Sequence, residues 1–199
     1  MNPHPPTDVR QHILDVARPL LLDRGYTAVG LAEILAAAQV PKGSFYHYFG
    51  SKDAFGQAVL ESYFTEYLAH MDVLLSQPGT AAQRLMAYFM DWLESQTGDS
   101  AQSRCLVVKL GAEVCDLSES MRSALEQGTR TITGRLARCI ADGQADGSLP
   151  AAPEAPALAV SLYQTWLGAS LLAKITRDRA PLATALACTR QALGLSSGA

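Results

Sequence analysis

Two helical segments of eight residues, Leu31–Ala38 and Lys42–Phe49, are separated only by Gln39-Val40-Pro41, and this spacing constrains the chain more than any other feature. The first segment is rich in Ala, Leu and Glu, which are strong helix formers. Gly30 before it is a weak but acceptable cap. Pro41 lacks a backbone N–H and suits only the start of a new helix, so Lys42–Phe49 begins afresh. Ahead of both, Thr7-Asp8 offers a cap, Ile13, Leu14, Ala17, Leu20 and Leu21 recur at helical spacing, and Gly25 stops the run. Pro19 inside this first helix deletes the bond to the Asp15 carbonyl and is expected to kink or shorten it. Three short helices with a tight break between the second and third predict a helix-turn-helix.

The rest of the chain also reads as helix. Ser51 caps a long segment through about Leu75, and Pro78-Gly79 breaks it. Thr80–Thr97 carries Leu85, Tyr88, Phe89, Trp92 and Leu93 on one face, ahead of a Gly98-Asp99-Ser100 loop. Ser103–Cys115, Ser118–Asp146, Pro156–Arg177 and Pro181–Leu193 follow, with a loop of three prolines between Gly147 and Pro156 and a stop at Gly194. Period-two alternation is essentially absent, so no sheet is expected and the fold class is all-α. The expected division is a DNA-binding domain over 7–50 and a helical regulatory and dimerisation domain over 51–195, with helix 51–75 connecting them.

Composition bounds the function classes. The chain has 199 residues, 48% of them apolar, enough to bury a core, and no long uninterrupted apolar run to span a membrane. Residues 1–6, with three prolines, read as a frayed arm without the basic and apolar regions of a signal peptide, so a cytoplasmic location is expected. Net charge is −3, which excludes a globally basic nucleic-acid binder. Residues 1–55 are neutral: Arg10, Arg18, Arg24, Lys42 and Lys52 balance Asp8, Asp15, Asp23, Glu33 and Asp53. Any positive surface must come from placement and helix N-termini.

That placement is legible in the third helix. Phe45 and Phe49 are four residues apart and share a face that can pack on Ile13, Ile34 and Leu35. The opposite face carries Lys42, Ser44, Tyr46, His47 and Tyr48, groups suited to phosphate oxygens and base edges. Gly43 lets the backbone approach a groove closely.

The run from Arg24-Gly25-Tyr26 through Lys52-Asp53-Ala54-Phe55 resembles the DNA-binding domain of the TetR family of bacterial repressors. The resemblance covers residues 7–55 closely, and the helical remainder fits the family's ligand-binding and dimerisation domain. It implies that Lys42, Gly43 and Ser44 open the recognition helix and face the groove. It further implies that Tyr46, His47 and Tyr48 touch bases or phosphates, that Lys52 contacts phosphate, and that Thr27 and Gly30 lie at the phosphate clamp. Gly30 departs from the usual Ser or Thr, leaving only its N–H. Gln39 replaces the usual turn glycine and is expected to hold a left-handed conformation with mild strain. The implied partners are double-stranded operator DNA with a palindromic site and a second copy of the chain, paired through residues 156–193. Gly168, Ala169 and Ser170 are expected to allow close approach there.

Of four cysteines, Cys105, Cys115, Cys139 and Cys188, none forms a C-x-x-C pair, so no zinc or thioredoxin motif is indicated. Cys105 falls in the first turn expected for Ser103–Cys115, beside Arg104 and four residues before Lys109. Helix dipole and both cations are expected to lower its pKa, so that it reacts before the other thiols. Cys115 lies between Glu113 and Asp116, which oppose ionisation, and Cys139 and Cys188 occupy interior-looking positions. The stretches Cys105–Ser118 and Trp166–Ala169 through Lys174-Ile175 are similar to an electrophile-responsive member of the same family. That similarity implies a sensor role for Cys105, with Lys174 able to meet it.

The leading reading is therefore a homodimeric repressor released from DNA by reactive electrophiles or oxidants. The alternative is release by a non-covalent hydrophobic inducer. Tyr88, Trp92, Tyr163 and Trp166 could line a pocket, but aromatics at helical spacing are usually core, and they are not assigned as ligand residues. An enzyme is not expected: no histidine lies near Cys105 in sequence and no phosphate loop or dinucleotide fingerprint is present. No cofactor or metal site is expected.

Overall fold

The computed structural model describes residues 6–97 and 105–195. The arm at 1–5, the 98–100 loop, Ser103 and Arg104 lie outside the described residues. Those described form nine helices in the order α1 Pro6–Arg24, α2 Leu31–Ala38, α3 Lys42–Phe49, α4 Lys52–Leu75, α5 Ala81–Thr97, α6 Leu106–Leu117, α7 Glu119–Ala145, α8 Ala155–Thr176 and α9 Ala180–Ala192. No strand occurs among them.

The helix boundaries follow local chemistry. Gly25 closes α1 at φ +92°, a conformation that glycine adopts without a Cβ penalty. Gln39 is left-handed at φ 56° and its N–H reaches back to Ala36, so the non-glycine turn is accommodated as expected. Ser51 Oγ accepts the Ala54 N–H and caps α4. Thr80 and Gln83 satisfy each other's backbone N–H groups at the start of α5, a reciprocal capping box. Pro19 does not shorten α1, which runs on to Arg24. Ile13, Leu14, Ala17, Leu21 and Leu22 are all buried on either side of it, and this packing outweighs one lost hydrogen bond. The sixth helix starts later than expected: Cys105 is its N-cap, outside the first turn.

Packing divides the molecule into two compact units that do not follow a cut at residue 50. The first contains the described residues up to Thr65 and those from Cys105 to Gly128. The second contains Glu66 to Thr97 and Thr129 to Leu195, so α4 and α7 contribute to both. In the first unit Phe45 is fully buried, with ring centroids 5.1 Å from Phe49 and 5.2 Å from Phe55. α6 joins this unit by packing on α1.

The core of the second unit is aromatic. Trp166 is stacked on Phe89 at 5.1 Å and donates to Thr189 Oγ1 at 2.8 Å. Trp92 donates to Ser170 Oγ at 3.1 Å and meets the Tyr163 ring at 5.7 Å, and the Tyr67 and Tyr88 hydroxyls pair at 2.6 Å. These aromatics fill one another's space with their polar atoms satisfied, as a core requires. Ala169 and Ser170 are buried in this core, so of the three small residues expected at a dimer contact only Gly168 is exposed.

Candidate nucleic-acid interface and sensor cysteine

The third helix presents the face its sequence implies. With Phe45 and Phe49 turned inward, Lys42, Gly43, Tyr46 and His47 are exposed, and Ser44 and Tyr48 are half-buried. Tyr46 is 46% exposed, a large aromatic left in water. The Lys42 ammonium lies 5.8 Å above its ring, and the His47 and Tyr48 rings meet edge-on at 5.0 Å. Pro41 caps the helix without a side-chain bond, so the Lys42 and Gly43 N–H groups have no side-chain cap, whereas the Ser44 N–H donates to the Pro41 carbonyl at 3.0 Å. Gly30 likewise caps α2 without a side-chain bond. Cations, aromatic hydroxyls and free helix N-termini together suit a polyanion.

The charge balance on this unit tilts further from a generally basic surface. Arg24 is paired with Glu33 across the α1–α2 connection. Lys52 is half-buried, and its ammonium donates to the carbonyls of Val29 at 3.0 Å and Tyr26 at 3.4 Å, 4.8 Å from the Tyr26 ring centroid. Tyr26 replies by donating its hydroxyl to the Lys52 carbonyl at 2.7 Å. An ammonium has three donors, so two carbonyls leave Lys52 one for another acceptor. Thr27 is exposed at the tip of the same turn, and its N–H donates to Glu113 Oε1 at 2.6 Å.

Cys105 departs from expectation. It is half-buried, and Tyr63 donates its hydroxyl to the Sγ at 3.8 Å. Burial raises the thiol's pKa above its ordinary value, and this outweighs the Val108 amide, the Tyr63 hydroxyl and the Val107 amide, which favour thiolate. The helix N-terminus thus acts as anticipated but is overridden by desolvation. Lys109 is not among the groups that act on the thiol, and its ammonium donates to the Asp23 carbonyl at 2.7 Å. Cys115 and Cys188 are exposed, so the interior position expected of Cys188 is not observed, whereas Cys139 is buried. Lys174 belongs to the second unit and is exposed in the last turn of α8, where a cation is favoured by the helix dipole.

In the second unit a cleft of about 440 Å³ is lined by Asp72, Arg135, Arg138, Asp142 and Cys139 among others. Val73 and Leu75 also line it, and its charges include the Arg135–Asp72 pair at 3.0 Å. No group of three or more His, Cys, Asp or Glu among the described residues is arranged to hold a metal. No described helix is long and apolar enough to cross a membrane.

A buried aromatic pair behind an exposed Lys-Tyr-His face, on the second helix of a helix-turn-helix, defines a DNA-binding transcriptional regulator rather than an enzyme. Two family models match the chain: bacterial regulatory proteins of the tetR family over residues 13–59, and the tetracyclin repressor-like C-terminal domain over 81–189. The chain belongs to the TetR family. It is similar to the HTH-type transcriptional repressor NemR of Escherichia coli K12, with 45% identity covering 94% of each chain. It is also similar to the HTH-type transcriptional repressor DhaR of Mycobacterium sp. strain GP1, with 35% identity covering 94% of this chain and 93% of that one. Its fold matches the crystal structure of reduced E. coli NemR with a TM-score of 0.90 and 43% identity, covering 96% of this chain and all of the other.

Proposed function

We propose that this chain is a homodimeric repressor that leaves a palindromic operator when a strong electrophile or oxidant modifies Cys105. The observation that carries this reading is the position of Cys105. It is the N-cap of α6, the helix whose side chains hold the turn leading into α2. The similarity to NemR supports repression, and that protein's solved reduced form supports a redox-responsive relative.

DNA contacts follow from exposure. Lys42, Ser44, Tyr46, His47 and Tyr48 meet base edges and phosphates, and Gly43 allows close approach. Gly30 and the third donor of Lys52 serve the phosphates at the start of α2, while Thr27, expected at the same clamp, gives its N–H and hydroxyl to Glu113 and shapes the turn instead. Dimerisation uses an exposed stripe on α8, where Val160, Leu171, Leu172 and Ile175 are between 43% and 67% exposed around Gly168. Such a stripe on one helix needs a partner surface. An operator-binding role places the protein in the cytoplasm.

The chemistry starts from a protonated resting thiol, which must give up its proton to react. A conjugated carbonyl takes the Cys105 sulfur at its β-carbon, and the thiol proton passes through solvent to the α-carbon. Hypochlorous acid converts the thiol to sulfenyl chloride with release of water, and the Lys174 amine then displaces chloride to form a sulfur–nitrogen bond with loss of a proton. A thiol whose pKa is raised reacts slowly with weak electrophiles, so the effector is a strong one.

The test is Cys105→Ser. It should bind operator like the parent yet resist release by quinone or hypochlorous acid, while Lys174→Ala still reacts at Cys105 without forming the crosslink. If Cys105→Ser leaves the operator on treatment as readily as the parent, Cys105 is packing and the reading fails.

A further inference from the structure

The connection between α1 and α2 is held by two charged side chains from a helix more than eighty positions away in sequence. The Glu113 carboxylate accepts from the Thr27 N–H at 2.6 Å and from the Tyr26 N–H at 3.0 Å, one amide on each oxygen. One turn earlier, the Lys109 ammonium donates to the Asp23 carbonyl at 2.7 Å. The arrangement matches the polarity of the backbone it grips. The last carbonyls of α1 carry partial negative charge and take the cation, and the two amides after Gly25 converge and take the anion.

The backbone is shaped for this contact. Gly25, at φ +92°, turns the following two N–H groups to the same side, and a Cβ there would lie 2.9 Å from Glu113 Oε2. The carboxyl is held below its usual pKa. Partial burial opposes the charge, but the Thr27 hydroxyl and amide, the Tyr26 amide and Lys109 outweigh it. The same turn is braced from the other side by Lys52 on the Tyr26 and Val29 carbonyls.

We propose that Glu113, assisted by Lys109, is a positioning residue for DNA binding, a clasp through which α6 holds the Asp23–Thr27 turn and therefore the start of α2. This inference rests on the reading of Gly30 and Lys52 as the phosphate-facing end of the domain, and it extends that reading to regulation. Cys105 caps the helix that carries the clasp. A group added to its sulfur must displace what surrounds the first turn of α6, and Lys109 and Glu113 follow on the next two turns. Tilting or fraying that turn draws both side chains off the connection. The amides of Tyr26 and Thr27 are then free, and the phosphate end of α2 loses its fixed position.

The experiment combines operator titration with amide NMR of the full-length chain. A short bond to a carboxylate shifts the Thr27 amide proton downfield and slows its exchange. In Glu113→Gln one acceptor oxygen becomes an NH₂ facing a backbone donor. The Thr27 or Tyr26 signal should lose its shift and protection, and operator affinity should fall about tenfold or more without any electrophile. Lys109→Met should weaken binding in the same direction, which guards against a folding artefact of one variant. In the parent, electrophile treatment should reproduce these amide changes as operator is released. Operator affinity within twofold of the parent for both variants would overturn the clasp. Release of the Cys105-modified parent with the Tyr26 and Thr27 amides unchanged would overturn its regulatory part. If electrophile fails to release the parent at all, the sensor reading falls, while the effector-free titration still decides the clasp.

Discussion

Gly25→Ala isolates the clasp from the backbone that presents it. Two costs arise. An L-residue in the left-handed region loses about 1–2 kcal/mol, offset in part by about 0.5 kcal/mol of entropy removed from the unfolded chain, for a net near 1 kcal/mol. The new Cβ would sit 2.9 Å from Glu113 Oε2, so the carboxylate must swing away from the Tyr26 and Thr27 amides. Hydrogen bonds to charged groups contribute about 1.5–3 kcal/mol each when buried, and this half-exposed pair is discounted to about 1–2 kcal/mol in total. The sum is about 2–3 kcal/mol. At about 2–4 °C per kcal/mol for a chain of this length, Tm should fall by roughly 4–12 °C. The discriminating assay is a double-mutant cycle by chemical denaturation with Glu113→Ala. In that background the clash has no partner, and Gly25→Ala should cost only the backbone part, about 1 kcal/mol. Equal costs in the two backgrounds would refute the reasoning, as would a single-mutant cost below about 0.5 kcal/mol.

Three further outcomes are expected. Lys42→Ala and Tyr46→Ala should each weaken operator binding by about 1–3 kcal/mol in a fluorescence anisotropy titration, with Lys42→Ala also flattening the salt dependence by about one unit per site. In a variant whose only thiol is Cys105, alkylation by a small maleimide should accelerate about tenfold per pH unit from neutrality. No plateau should appear below the ordinary thiol pKa, because burial lifts the folded value and thiolate accumulates only as pH rises towards it. Leu172→Glu with Ile175→Glu should convert the protein to monomers in sedimentation velocity at micromolar concentration, since both side chains are more than half exposed on the α8 stripe.

What the sequence determined by itself was local. Helical spacing, capping residues and the Gln39-Val40-Pro41 break located the helices to within a few residues, because those signals act over one turn. The same locality made the outward face of α3 legible, for Phe45 and Phe49 fix which way Lys42, Tyr46 and His47 must point. The left-handed backbone of Gln39 was legible only through the family resemblance, in which it stands where a turn glycine is usual. Tertiary structure decided whatever depended on distant partners. Local charges argued for an acidic Cys105 thiol, but its burial depends on neighbours such as Tyr63, forty-two positions away, and desolvation reversed the sign. Sequence spacing puts Lys109 on the same helix face as that thiol, yet in the fold its charge acts on Glu113 and its ammonium donates to the Asp23 carbonyl. Ala169 and Ser170 read as small residues on an outer face, yet Trp92 reaches Ser170 across the core and turns that side of α8 inward. Glu113 carried no signal beyond its charge next to Cys115. Its role arises because folding brings it to two amides eighty-six and eighty-seven positions away, a juxtaposition that no helical periodicity encodes.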